Sequence, residues 1–184
     1  MQLSVKQRQT LIFSYIWLLI PCAVLLLVKG DNSEPSTVLM HGLLIVFGYI
    51  ASVADLKKRI IPNKLVLTML IVWSMAIIPN LYINSSKAVL ILTDSVLGFA
   101  FSGGLFMLVY VISKKGLGGG DVKFMAAAGL YLGFDGAISS VFIGTVIAAL
   151  TGGLLIILKK IGRKDPIPLV PFLYAGIMTT VLLL

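Results

Sequence analysis

Seven apolar runs separated by short polar turns dictate what this chain can fold into. They are Leu11–Val28, Thr37–Ala54, Ile60–Ile78, Ala88–Ile112, Val122–Phe134, Gly136–Leu158 and Ile167–Leu184. The turns between them read "KGDNSEPS", "DLKKR", "PNLYINSSK", "SKKGLGGGD", "DG" and "KKIGRKDP". Several runs reach the ~18–20 residues that carry a helix across a bilayer. A soluble domain of 184 residues has no interior that hides a composition 59% hydrophobic, with a mean hydropathy of +1.06. The expectation is an all-α polytopic membrane protein, a bundle of about seven transmembrane helices with its N-terminus cytoplasmic. Nothing marks off a separate soluble domain, so residues 1–184 read as one unit.

The single cysteine, Cys22, rules out a disulfide framework within the chain and a cysteine zinc site. The single histidine, His41, makes no ligand cluster, and we expect no metal and no cofactor. The net charge of +8 reports membrane topology rather than nucleic acid, which we do not expect as a partner. Lys6 and Arg8 before Leu11–Val28 have the look of a signal peptide. That run is 18 residues long, however, and no A-x-A-like site follows it, so it reads as a retained first span.

Lysine and arginine positions orient the bundle. With seven crossings the inside collects Lys6, Arg8, Lys57, Lys58, Arg59, Lys64, Lys114, Lys115, Lys123, Lys159, Lys160, Arg163 and Lys164. The outside keeps Lys29 and Lys87, a division of thirteen against two. The 13 residues of Val122–Phe134 make only about 20 Å of helix, which leaves a re-entrant hairpin as the alternative. That alternative lowers the tally to nine against six, so the charges favour a true crossing. Ala126, Gly129 and Gly133 suit close packing of this short span on its neighbours.

On this topology Asp55 closes the second span and Asp121 opens the fifth, both at the cytoplasmic edge. Acids at a membrane edge are costly enough to suggest function. Two neighbouring carboxylates cannot both ionise readily and so share a proton. Such a pair suits aspartyl proteolysis: one member takes a proton from water while the other polarises the scissile carbonyl. Gly118, Gly119 and Gly120 offer unusual backbone conformations and close approach of a substrate strand. Asp121 then sits near a helix N-terminus, where the dipole favours a carboxylate. Arg59, four residues after Asp55, pairs with it if the helix continues. Pro62 breaks that helix and Asn63 can cap the next one.

These residues resemble the type IV prepilin peptidases, membrane aspartyl proteases of the G-x-G-D kind. "DLKKRIIPNKL" is similar to the family's first-aspartate segment, and "GGGDVKFMAAAGLYLG" to its second. "DSVLG" (Asp94 to Gly98) and the Pro-rich "DPIPLVPFLYAG" (Asp165 to Gly176) match further family stretches, so the resemblance covers roughly residues 45 to 184. Residues 11–28 then form an extra N-terminal span.

The resemblance implies that Asp55 and Asp121 are the catalytic pair. They would remove the basic leader of pilin-like or pseudopilin-like precursors just before the substrate's hydrophobic helix, at the cytoplasmic face of the cell membrane. Arg59, Pro62, Asn63, Gly118, Gly120, Lys123, Pro168 and Pro171 are implied to shape the site. Lys123 matches a family lysine, and Asp94 is expected to satisfy a polar contact rather than catalyse. Two departures matter. Many bacterial members carry paired CxxC motifs tied to N-methylation, absent here, so peptidase activity without methyl transfer is expected. Leu169 and Val170 also stand where a Phe-Gly pair is common.

Three alternatives stay open. A protease of the presenilin or signal-peptide-peptidase type shares G-x-G-D, but its Tyr-Asp and Pro-Ala-Leu strings do not occur here. A small transporter is expected to show internal repeats, and none is evident. A scaffold of a pilus or secretion system has no need of both acids. The sequence leaves the oligomeric state and the particular precursor undetermined.

Overall fold

The computed structural model describes residues 35–83, 85–113, 116–160, 162 and 167–183. The expected first span, Leu11–Val28, lies outside the described residues. Those described form five helices: α1 (Pro35–Lys58), α2 (Asn63–Ile83), α3 (Ser85–Ile112), α4 (Gly119–Ile157) and α5 (Val170–Leu183). No strand is present among them. Three helices, α1, α3 and α4, are long and apolar enough to cross a membrane; α5 and the Asn63–Pro79 part of α2 are shorter apolar helices.

Local chemistry sets the ends of the helices. The last turn of α1 closes with the Arg59 N–H donating to the Asp55 carbonyl at 2.8 Å. Arg59 then leaves the helix in a left-handed conformation with φ 52°. Pro62 has no N–H to give and disfavours a helical Ile61, so residues 60–62 stay outside any helix until Asn63 starts α2. At the other end of α2 the expected turn at Pro79 is not made, and the helix runs on to Ile83 with that proline inside it.

The fifth and sixth expected spans are two helical arms, numbered together as α4, that meet at Gly133 rather than at the anticipated Asp135–Gly136 turn. Gly133 has φ 68° and ψ −174°, a region open essentially to glycine alone. The first arm, up to Leu132, lies against α3: the Gly98 and Gly129 main chains touch, and Ser102 Oγ donates to the Met125 carbonyl at 2.8 Å. The second arm packs against α5 in the opposite sense. Gly152 meets Ile167, Gly144 meets Leu173, and Gly176 meets Ser140. Since Ile167 and Asp121 border the same cavity, the second arm returns to the end from which the first set out. The chain folds back at Gly133.

The core lies where α1, α2, the first arm of α4 and α5 converge, around the fully buried Leu44, Met69, Phe124, Met125, Leu173 and Ile177. Two polar anchors cross it, Tyr131 Oη donating to the Met69 carbonyl at 2.6 Å and Trp73 Nε1 to the Leu130 carbonyl at 3.0 Å. Both pair groups that are costly to leave unsatisfied in an apolar surround. Large apolar side chains such as Leu90, Leu108, Phe142 and Leu150 point outward, as expected of surfaces meant for lipid rather than water.

Candidate active site

One cavity of about 700 Å³ opens at the end of the bundle where α1 stops and α4 starts. Asp55 reaches it from the last turn of α1 and Asp121 from the first turn of α4. Residues 60–62, between α1 and α2, and the Ile167–Leu169 segment before α5 supply further walls.

Asp55 is only 6% exposed. Its Oδ2 accepts the Val170 backbone N–H at 3.1 Å, so the carboxylate sits on the N-terminus of α5. Helix N-termini leave backbone donors unpaired and carry partial positive charge, which offsets the cost of burying this acid. Asp121 occupies the equivalent position on its own helix. Its N–H donates to the Gly118 carbonyl at 3.0 Å, and the Gly118 backbone hydrogen-bonds its carboxylate. The two acids stand close enough for their charges to repel. Each is thus tied to a backbone, and the pair faces one space.

The glycine run works through close approach rather than through unusual dihedrals. Gly118 is in an ordinary extended conformation, with φ −72° and ψ 135°, and Gly133 is the one glycine of positive φ among the described residues. A side chain at Gly120 would place its Cβ 3.1 Å from the Cβ of Ile61, which holds the start of α4 against the 60–62 segment. A Cβ at Gly118 would lie 3.2 Å from Asp121 Oδ2. Nothing comes within 4 Å at Gly119.

Arg59, Pro62, Asn63, Gly118, Gly120, Lys123 and Pro168 all border the cavity together with the two acids; Pro171 does not. Pro171 is the second residue of α5, where its missing N–H costs nothing. The Arg59 expectation needs correction: α1 does not continue past Lys58, and among the described residues no ion pair joins Arg59 to Asp55. Asn63 starts α2, but its Oδ1 accepts a hydrogen bond from Lys123 Nζ at 3.2 Å. Asp94 is far from the cavity; its Oδ1 accepts the Phe134 N–H at 3.0 Å, just past the Gly133 break.

Sequence reasoning missed the Val170 amide as a partner of Asp55, and also the apolar walls Ile61, Leu117 and Ile167. A backbone donor leaves no mark in composition, and apolar walls cannot be told from core residues by pattern. Among the described residues no group of three or more His, Cys, Asp or Glu side chains gathers to hold a metal ion.

The chain is similar to several curated proteins, each called a prepilin leader peptidase/N-methyltransferase. With the Aeromonas salmonicida protein it is 28% identical over 158 residues, 82% of this chain and 52% of the relative. With that of Bacillus subtilis it is 28% identical over 145 residues, 77% and 52% respectively. With that of Escherichia coli K12 it is 33% identical over 109 residues, 55% and 45%. The chain thus spans about half the length of the curated relatives it matches. No solved structure matches it. The type IV leader peptidase family model matches residues 42–157, a stretch that holds Asp55, Asp121 and the Gly133 break, and the chain belongs to that family.

Proposed function

We propose that the chain is a membrane aspartyl endopeptidase that removes the basic leader of pilin-like precursors. The observation that carries this reading is that Asp55 and Asp121, from two different helices, border one cavity. Family membership supports the substrate class, and the relatives' printed names speak of prepilin leaders.

The chemistry follows from two acids sharing a proton. The ionised carboxylate takes a proton from a water molecule as the water oxygen bonds to the scissile carbonyl carbon. The protonated carboxyl gives its proton to the carbonyl oxygen, so a neutral tetrahedral diol forms. Collapse breaks the C–N bond, a proton passes to the departing nitrogen, and the pair returns to its starting state. Either acid can begin as the base, and the cycle needs only water and the pair.

We also place the cavity at the cytoplasmic face, in a seven-crossing topology with the N-terminus inside. Lys57, Lys58, Arg59, Lys64, Lys123, Lys159 and Lys160 lie toward the cavity end of their helices, and Lys87 toward the other. That distribution supports the orientation. The chain's single cysteine leaves no CxxC pair within these 184 residues, in keeping with peptidase activity alone.

The test is cleavage of a co-expressed pilin precursor, read by gel shift and N-terminal sequencing. Wild type is expected to remove the leader, while Asp55→Asn and Asp121→Asn insert normally and leave the precursor whole. Continued cutting by either variant would sink the dyad mechanism.

A further inference from the structure

The cycle above runs with either acid as the base, but the surroundings of Asp55 and Asp121 differ. The difference lies in the backbone donor that each one meets. Asp55 Oδ2 accepts the Val170 N–H at 3.1 Å. Val170 is fully buried and opens α5, so its N–H is shut off from solvent. The next residue, Pro171, has no N–H, and the Phe172 and Leu173 N–H groups donate to the Leu169 carbonyl at 3.1 and 3.2 Å. The start of α5 therefore leaves one amide for a partner outside the helix, and Asp55 takes it. Asp121 meets the Gly118 backbone, and Gly118 is exposed, where solvent can stand in for a weakened acceptor.

We infer that the Val170 amide keeps the negative charge of the acid pair on Asp55, which makes Asp55 the base and Asp121 the acid of the cycle. This assignment rests on the peptidase reading above and fixes the roles which that reading leaves open. Val170 is a positioning residue: it acts through Asp55 and touches no reacting atom. A hydrogen bond to a charged oxygen is roughly twice as strong as one to a neutral oxygen. Moving the charge to Asp121 weakens the bond made by the buried amide and takes a negative group off the positive end of α5. Burial alone pulls the other way, since it penalises charge on Asp55. Direct contact with the amide and the helix end offsets that penalty, and no equivalent buried donor meets Asp121 among the described residues.

The other charged groups do not choose between the acids. Arg59 and Lys123 border the same cavity as both, and Lys123 Nζ donates to Asn63 Oδ1. Lys57, Lys58 and Lys64 are exposed and do not line the cavity. The Ile167–Leu169 segment brings no titratable side chain. Tyr174, the one titratable residue of α5, lies against Gly48 and Tyr49 of α1, well before Asp55 on that helix.

The experiment follows the carboxyl carbon NMR signals of isotopically labelled aspartate in the detergent-solubilised protein through a pH titration, with Asp55→Asn and Asp121→Asn to assign them. Two coupled acids titrate in a lower and an upper step. In wild type the Asp55 signal is expected to move mainly in the lower step and the Asp121 signal mainly in the upper. Val170→Pro removes the N–H at the first position of a helix, where proline is otherwise tolerated. If Asp55 carries the charge of the singly protonated pair, the lost bond destabilises that state and the fully ionised state alike. Only the lower step then moves, up by about one pH unit. If Asp121 carries it, the loss is felt only when Asp55 ionises last, so the upper step moves and the lower one stays.

Precursor cleavage reads the same difference through kcat/KM. Val170→Pro is expected to shift the acid limb of the pH profile upward and to leave the alkaline limb in place. Val170→Ala keeps the N–H but removes buried packing, so it is expected to lower the unfolding temperature without moving either limb. A shifted alkaline limb, an Asp121 signal that moves first in wild type, or limbs that Val170→Pro leaves in place each overturn the assignment. Should Val170→Pro not fold, the wild-type titration alone decides which acid carries the charge. Should wild type cut no precursor, the peptidase reading falls, and the NMR signals still decide where the charge of the pair lies.

Discussion

Asp94 on α3 accepts the Phe134 backbone N–H at 3.0 Å and so caps the second arm of α4 from a different helix. The cap stands where the chain folds back, and a side chain at Gly133 would run into the Asp94 carboxylate. The two residues act together: glycine makes the reversal possible, and the carboxylate satisfies the backbone donor that the reversal exposes. The first arm, which carries Asp121, is thereby anchored at its far end.

Removing the cap tests this anchor. Asp94→Ala is expected to cost about 1 kcal/mol, as for other lost helix caps, while Asp94→Asn keeps an acceptor and loses less. Gly133→Ala is expected to cost roughly 2–3 kcal/mol from backbone strain alone. Thermal unfolding in detergent is the measurement. Because both changes touch one contact, the double variant should fall short of the sum.

The interface between α3 and the first arm of α4 makes a second prediction. A Cβ at Gly98 would meet the Gly129 and Gly133 main chains, and backbone cannot step aside as a flexible side chain does. Gly98→Ala is expected to destabilise by about 2–3 kcal/mol. Gly153, with nothing within 4 Å, is the contrast: Gly153→Ala should gain some tenths of a kcal/mol from helix propensity. Unfolding midpoints of the two variants should move in opposite directions.

The Lys123–Asn63 hydrogen bond ties the start of α4 to the start of α2 beside the acids. Lys123→Met and Asn63→Ala are each expected to lower kcat/KM several-fold rather than abolish cleavage. A double-mutant cycle on kcat/KM should give a coupling of about 0.5–1 kcal/mol, as for an ordinary hydrogen bond. Additive effects would separate the two residues.

A shared proton predicts the pH profile. With both acids protonated the pair lacks a base, and with both ionised it lacks an acid, so kcat/KM against pH should be bell-shaped. Both limbs belong to the pair rather than to one residue. A profile with a single limb would count against the two-acid mechanism.

The sequence by itself determined that the described chain is helical and that the two acids stand at helix ends, although not every helix bound. Apolar runs of spanning length can only be helices buried in lipid or in each other, and Pro62 forces α1 to stop just after Asp55. The glycines before Asp121 place that acid at a helix start. All of this is local chemistry, legible from spacing alone.

Only the tertiary structure decided the rest. The break in α4 fell at Gly133 and not at Asp135–Gly136, because Asp94, some forty residues earlier in the chain, waits there with an acceptor. Arg59 looked like a partner for Asp55 on a continuing helix, yet the partner is the Val170 amide, brought in by α5. Asn63 spends its oxygen on Lys123, sixty residues away. Each outcome depends on which helices become neighbours. Periodicity within a segment carries no record of that, because a backbone donor or a free carboxylate is matched only when the fold brings the two ends together.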